Sequence, residues 1–378
     1  MNTVCKKNHC TGCMACLDIC SKRAIHIEDS LEAYNAVIDE DKCIKCRACE
    51  KVCQERNFAD FKEPISWSQG WIYDETIRQH SASGGIAYAL AQTFVKKGGK
   101  VCSCTFAHGK FGFEIVDNID SLYKFSGSKY IKSNPAGIYK EVMRELVKGS
   151  KLLFIGLPCQ VAAIKKYTGK SLEKNLYTVD LICHGTPSPK VLDLFLQQYG
   201  KNLNELSQID FRVKGNFQVS EMNRTVTTKG ICDRYMIAFL SALSYTENCY
   251  SCKYAQIKRP GDITLGDSWG TNVPETEWQK GISLILCQSD KGIKLLKDSN
   301  VKMLEVDEKK AIENNHQLER PSEAPKTRKQ FITNINYGKS FNKAVFLALP
   351  KECTRQEIKK LLIKGGLINL RGGDNVSN

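Results

Sequence analysis

Cysteine is the residue type whose spacing carries chemistry here. Cys10, Cys13, Cys16 and Cys20 follow C-x-x-C-x-x-C-x-x-x-C, and Cys43, Cys46, Cys49 and Cys53 repeat that pattern. Three thiolates two residues apart can wrap a tight loop round one iron-sulfur cubane, each taking a different iron at a metal-sulfur distance of about 2.3 Å, with the fourth ligand coming from elsewhere. In two-cluster proteins of this spacing the last cysteine of each run crosses to the other cluster. Cys10, Cys13, Cys16 and Cys53 are therefore expected to hold one 4Fe-4S cluster, and Cys43, Cys46, Cys49 and Cys20 a second. Two zinc knots are the competing reading, a weaker one, because zinc rarely takes three cysteines at consecutive two-residue gaps. Cys5 and His9, just outside the first run, read as incidental neighbours.

A second set lies further on. Cys159 follows the apolar run Leu152 to Pro158, and Cys183 follows Val179 to Ile182, so both are expected at the carboxyl ends of strands, the edge where open α/β sheets bind ligands. Cys249 and Cys252 add a C-x-x-C pair from a separate loop. Four thiolates brought together could hold a third 4Fe-4S cluster. A cysteine at a strand end is as often a small buried hydrophobe, and on spacing alone the two readings stand level. Cys102, Cys104, Cys232, Cys287 and Cys353 show no partner spacing and read as core or surface thiols.

Ser81-Ala82-Ser83-Gly84-Gly85 precedes a helical pattern, and its hydroxyls and open backbone N–H groups at a positive helix end would suit a phosphate or pyrophosphate. An ordinary N-cap uses the same residues. Gly127-Ser128-Lys129-Tyr130 sets a cation beside an aromatic ring, and Gly266-Asp267-Ser268-Trp269-Gly270 makes a polar, aromatic loop; plain turns explain either. Iron-sulfur centres pass single electrons whereas most metabolic substrates take two, so a flavin is the expected converter.

The elements that must position these residues fall into three stretches. Residues 1–60 are cysteine-rich and lack long apolar periodicity, as expected of a small domain organised by metal. There Ala24 to Glu28 and Ala36 to Asp39 fit a short hairpin. The stretch from Glu63-Pro64 to Gln69-Gly70 reads as a linker. Within 61–330, apolar runs at Val101 to Phe106, Leu152 to Ile155, Val179 to Ile182, Ile209 to Val213, Ile263 to Leu265 and Ile282 to Cys287 alternate with helical patterns at Ile86 to Val95, Val161 to Tyr167, Val191 to Tyr199 and Lys291 to Lys297, which implies α/β units. Residues 331–378 read as a basic C-terminal extension with a helix from Arg355 to Ile363 and a frayed end from Arg371 to Asn378.

The chain has 378 residues, 18 cysteines and a formal net charge of +14. Each oxidised cluster with four thiolates contributes about −2, so two leave a net charge of about +10 and three about +8. Such a balance favours an acidic protein partner or a phosphorylated ligand; the Lys and Arg residues are dispersed, and a dedicated nucleic-acid surface is the weaker reading. The N-terminus lacks a secretory h-region and no stretch reaches membrane-spanning length, which points to the cytoplasm, where free thiols serve as metal ligands rather than disulfides.

Taken in order, the two cysteine runs, Ser83-Gly84-Gly85, Ser128-Lys129-Tyr130, Leu157-Pro158-Cys159-Gln160, Cys183-His184-Gly185, Cys249-x-x-Cys252 and Gly266-Asp267 resemble the beta subunit of deazaflavin-linked hydrogenases and dehydrogenases over roughly residues 1 to 330. In the first 60 residues the pattern resembles a bacterial two-cluster ferredoxin, with Ser21 and Gln54 where that pattern usually has proline. The resemblance implies an α+β ferredoxin-like domain followed by an α/β flavin- and iron-sulfur-binding domain. It implies an FAD in that α/β domain and a third 4Fe-4S cluster on Cys159, Cys183, Cys249 and Cys252. By the same carry-over Ser83, Gly84, Gly85, Ser128, Lys129 and Tyr130 become the flavin contacts. The expected activity is an oxidoreductase passing electrons between a redox partner protein or subunit, the clusters and a flavin that acts on a small molecule or coenzyme, with His184 as candidate proton donor. Its rivals are an electron-transfer subunit without its own substrate site and a metal-knotted interaction protein.

Overall fold

A computed structural model describes residues 2–57, 60–222 and 224–367. The segment from Arg371 to Asn378 lies outside the described residues. In chain order the strands are β1 (Ile25–Asp29), β2 (Tyr34–Ile38), β3 (Ser66–Ile72), β4 (Lys100–Ala107), β5 (Lys110–Val116), β6 (Leu152–Gly156), β7 (Leu176–Leu181), β8 (Asp210–Val213), β9 (Asn216–Glu221), β10 (Arg224–Thr225), β11 (Ile263–Asp267), β12 (Ser283–Cys287) and β13 (Val301–Leu304).

The molecule is a mixed α/β protein built on one large sheet of order β13-β3-β12-β11-β7-β6-β4-β5. Its centre, β4, β6, β7 and β11, is parallel; β5 on one side and β12, β3 and β13 on the other are antiparallel. Strands buried on both faces must be apolar almost throughout, and Leu152, Leu153, Phe154, Val179 and Leu284 to Leu286 are fully buried. The helix Pro158–Thr168 carries the chain from β6 to β7, with Pro158 in its first turn where the missing N–H costs nothing. The parallel strands end at one edge, and that edge carries Cys159, Cys183 and the loop after Asp267.

The stretch expected to be a linker is partly strand. β3 pairs with β12 and β13 inside the large sheet, and Gly70 is required there because a Cβ would come within 2.0 Å of the Lys302 carbonyl oxygen. The last helices, Arg328–Asn336, Phe341–Ala348 and Pro350–Lys364, turn Phe331, Phe341, Ala344 and Val345 into a core shared with Leu192, Phe195, Tyr235 and Phe239. The expected helix from Arg355 to Ile363 falls within the last of these, and a boundary near residue 330 would cut the first.

The first 57 residues form a separate small module: the helices Ala15–Ile19 and Ala48–Val52 with the antiparallel hairpin β1–β2 between them. It is pinned to the body by side chains. The Asp18 carboxylate accepts from the backbone N–H groups of Gly137 (2.6 Å) and Tyr139 (3.0 Å), capping the helix Ile138–Val147 from another part of the chain. Tyr139 Oη donates to the Cys13 carbonyl at 2.6 Å, and Cys13, Ala15 and Val52 pack with Tyr139, Val142, Val161 and Ile164.

Candidate functional site

Each cysteine run winds a loop and then a short helix, which turns its first three thiols to one side. Cys10, Cys13, Cys16 and Cys53 are all buried at the seam between module and body. Their thiols lie close enough to perturb one another: burial raises Cys13 to about 12 with Cys10 and Cys53 adding to the rise, and Cys16 is raised by burial and then by Cys13, Cys10, Cys53 and Cys49. Ionised together, thiols this close would form a site whose negative charge needs metal to balance it. Cys5 belongs to the same pocket. Its thiol hydrogen-bonds those of Cys10 and Cys53 and is raised by them, while Cys53 falls to about 7, chiefly through Cys5. Reading Cys5 as incidental missed this, because β2, not the cysteine spacing, brings it in: Val4 N donates to the Ala36 carbonyl.

The second set is arranged differently. Cys20, Cys43 and Cys49 are half-buried and Cys46 is exposed; burial raises Cys49, with Cys43 adding to the rise. The backbone N–H of Ala24 points at Cys20 Sγ (3.3 Å) and that of Lys45 at Cys43 Sγ (3.4 Å).

Cys159, Cys183, Cys249 and Cys252 come together at the carboxyl edge of the parallel strands. Burial raises Cys159, with Cys252, Cys183 and Cys13 adding to the rise; Cys183 rises to about 12 through burial, Cys249 and Cys252, and Cys252 to about 11 through burial and Cys249. Thr246 Oγ1, Thr186 Oγ1 and Asn248 Nδ2 lie 3.7, 3.8 and 3.6 Å from Cys249 Sγ. The loop bearing Cys249 and Cys252 is anchored by Arg259, which is fully buried, pairs with Asp180 of β7 at 2.8 Å and donates to the carbonyls of Tyr254 and Leu181. Among the described residues no three His, Cys, Asp or Glu side chains are spaced for a single ion.

Two residues that spacing could not reveal lie between the first and third sets. Lys132 is buried and donates to the Thr11 carbonyl at 2.9 Å; Cys10 is lowered chiefly by its hydrogen bond with Cys5, to which the Lys132 ammonium adds, and at Cys159, raised by burial, the ammonium opposes the rise. Tyr254 packs with Cys159 and Cys252, and its hydroxyl donates to Gln54 Oε1, whose amide in turn donates to Thr11 Oγ1 at 2.8 Å. Gln54 follows Cys53 directly, so this chain of contacts joins the first set to the third.

Beside the third set opens a cavity of about 300 Å³, and Cys183 lines it. Ser83, Gly85, Ser128, Lys129, Tyr130 and His184 also line it, whereas Gly84 does not. Gly84 serves packing: a Cβ there would meet the Gly70 carbonyl oxygen at 2.4 Å. Gly85 precedes the helix Ile86–Lys96, whose first residues line the cavity. Lys129 is half-buried and donates to the carbonyls of Phe125 and Ser126, and the partial burial lowers its pKa. Tyr130 stacks on Phe239 with ring centroids 4.5 Å apart. Arg212, which the sequence reading passed over inside a short strand, pairs with Asp267 at 2.6 Å and lies over the ring of Trp269. Aromatic faces, a cation and a helix N-terminus thus meet round one cavity.

His184 Nδ1 lies 2.7 Å from the side-chain amide of Gln317, and burial with His316 nearby lowers its pKa to about 4. At neutral pH the ring is uncharged and suited to hydrogen-bond a ligand.

No curated protein matches the chain. A chain of the F420-reducing NiFe hydrogenase complex from Methanosarcina barkeri is similar at 18% identity, over 74% of this chain and 96% of that one, with a TM-score of 0.46. Residues 9–57 match the 4Fe-4S dicluster domain. Residues 149–312, which hold Cys159, Cys183, Cys249, Cys252 and much of the cavity wall, match the C terminus of the coenzyme F420 hydrogenase/dehydrogenase beta subunit. The chain thus joins a segment that matches the 4Fe-4S dicluster domain to one that matches the C terminus of the coenzyme F420 hydrogenase/dehydrogenase beta subunit.

Proposed function

We propose that this chain is an iron-sulfur flavoprotein oxidoreductase that passes electrons between its N-terminal clusters and an FAD in the cavity, by way of a third cluster on Cys159, Cys183, Cys249 and Cys252. One observation carries the reading: the third thiol set touches the first through Tyr254 and Gln54 on one side and contributes Cys183 to the cavity wall on the other. The proposed units are a ferredoxin-like domain over 1–60, a flavin and iron-sulfur domain over 61–330 and the C-terminal segment from 331.

Ser83, Gly85, Ser128, Lys129 and Tyr130 would hold the cofactor, with the N-terminus of the helix Ile86–Lys96 taking its pyrophosphate. A bound flavin would supply exchange between single-electron transfer and hydride transfer. Lys129 offers positive charge at the cavity wall, the Arg212–Asp267 pair lies in the same lining, and His184, neutral at pH 7, could hydrogen-bond a substrate there but is a poor proton donor, against the role expected of it. Free thiols throughout suit a reducing cytoplasm, and among the described residues no helix is long and apolar enough to cross a membrane.

The family is described as a beta subunit, which favours a second reading: an electron-transfer subunit whose substrate chemistry takes place on a partner chain. Anaerobic purification with iron, sulfide and flavin assays tests the first. About twelve irons and one FAD per chain are expected, with turnover of a hydride-accepting coenzyme by the isolated chain. Clusters without flavin after reconstitution would leave only the second reading.

A further inference from the structure

The two cysteine runs build the same loop twice, and the body covers only one copy. Two and four residues after the first cysteine the backbone is left-handed in both: Gly12 (φ 72°) and Met14 (φ 59°) in the first, Lys45 (φ 55°) and Arg47 (φ 59°) in the second. The helices Ala15–Ile19 and Ala48–Val52 follow at the same offset. In the first loop Thr11, Gly12 and Met14 are buried, and a Cβ on Gly12 would lie 2.8 Å from the Lys132 side chain. In the second, the matching positions Ile44, Lys45 and Arg47 are all exposed, Ile44 at 59%.

The residue types changed with the environment. A small or apolar residue occupies each position that faces the body, and a cation or a bare apolar side chain each position that faces water. Around the second thiol set Lys22, Arg23, Lys45, Arg47 and Lys51 are exposed, and among the described residues none of the five forms an ion pair, whereas Lys42 is held by Asp39 and Arg56 by Glu50. Glu40 and Asp41 are the exposed acids on the approach. An apolar centre ringed by unneutralised cations, beside an exposed Cys46, has the anatomy of a small transient interface steered by charge.

We propose that the loop Cys43–Cys49, with Ile44 at its centre and Lys45 and Arg47 beside it, docks a small acidic one-electron carrier protein. The thiol set Cys20, Cys43, Cys46 and Cys49 is then where electrons cross the protein surface, and the buried set at Cys10, Cys13, Cys16 and Cys53 is the inner relay. One electron passes per encounter: the carrier's centre loses it and the chain's outer cluster gains it, or the reverse, with no bond made and no proton moved. The inference rests on the cluster reading and is independent of the flavin.

The experiment uses anaerobic, fully reconstituted protein and a plant-type 2Fe-2S ferredoxin, a small acidic carrier, as probe. Affinity for the oxidised carrier is measured by calorimetric titration at low and moderate salt, and cluster bleaching by the reduced carrier is followed in stopped flow. The double variant K45E/R47E is expected to weaken binding and slow bleaching at least about tenfold and to flatten the salt dependence, with reduction by dithionite unchanged. Because both positions are left-handed, K45G/R47N removes the charges with residues that tolerate that backbone and is expected to give an intermediate loss at wild-type iron content. Wild-type affinity and rate in both variants would overturn the proposal, as would an equal loss from K359E/K360E on the C-terminal helix. Protein that binds and bleaches normally but contains no flavin would end the flavoprotein reading and leave this one standing.

Discussion

Lys132 carries a charge where charge is expensive. It is 5% exposed, its Nζ bonds the Thr11 carbonyl, its backbone N–H bonds the Pro187 carbonyl, and its ammonium acts on thiols of both the first and third sets. A 4Fe-4S cluster becomes more negative on reduction, so a fixed cation favours the reduced form. Replacing Lys132 by Met, of similar volume, is expected to lower the midpoint potentials of those two clusters by tens of mV, on the order of what one charge exerts at an effective dielectric of about 20, and to leave the outer cluster unchanged. A potentiometric titration read by electron paramagnetic resonance decides it; unmoved potentials would remove Lys132 from the redox machinery. Asp233 makes a different prediction. Its carboxylate caps the helix Arg234–Leu240 through Met236 N (2.9 Å) and accepts from Val219 N (2.5 Å), yet burial raises its pKa to about 6. A carboxyl raised above its unfolded value of about 3.9 penalises the fold in full above pH 6 and not at all below about pH 4. Relative to D233N, which keeps the cap, the wild type should therefore gain about 1 kcal/mol of stability between pH 7.5 and pH 5, measured as the difference between their urea midpoints.

Between β7 and β11, a charged residue holds the site's geometry. Arg259 and Asp180 are both buried, and together they bond Gly261 N, Thr264 Oγ1 and the carbonyls of Tyr254 and Leu181. Arg259→Met leaves Asp180 buried without its partner and should cost about 3–5 kcal/mol; because the loop holding Cys252 hangs from this pair, iron content should fall toward about eight per chain. Retained stability and full iron content would refute that account. Elements such as β6, β7, β11 and β12 were legible as apolar runs because a central strand covered on both faces, parallel or not, has no polar face. β3 was not: Ser66, Ser68, Gln69 and Gly70 spell a linker, and only the close approach of the Lys302 backbone makes Gly70 a strand residue. Of the last helices only the final one was anticipated; Arg328–Asn336 and Phe341–Ala348 were not, since Phe331, Phe341 and Val345 pack against Leu192, Phe195 and Tyr235, far away in sequence. Cysteine runs declare themselves because their ligands are local in sequence. Cys159 and Cys183 were placed by the strands ahead of them. Lys132, Gln54, Tyr254 and Arg212 act across long sequence separations with no motif, and no pattern in the chain could have announced them.

At the scale of the molecule, the orientation of the small module decides what the protein can do. If the buried thiol set faced water and the exposed one faced the body, Tyr254 and Gln54 would join nothing. Asp18 fixes that orientation. Its carboxylate is the N-terminal cap of the helix Ile138–Val147, although more than a hundred residues separate them, and burial raises its pKa while the backbone N–H groups of that helix pull the other way. Asp18→Ala strips the Gly137 and Tyr139 N–H groups of their acceptor. The lost cap should cost about 1–2 kcal/mol, localised at the seam rather than in either core. Both halves should stay folded and keep their iron, since no thiol is touched. The distinguishing signals are faster amide exchange at residues 137–139 and slower equilibration between the N-terminal clusters and the third after rapid reduction from outside. Faster exchange with undiminished equilibration would mean that the contact through Tyr254 holds the module in register by itself; unchanged exchange would mean that the apolar seam around Cys13, Ala15 and Val52, not the carboxylate, sets the path that electrons follow.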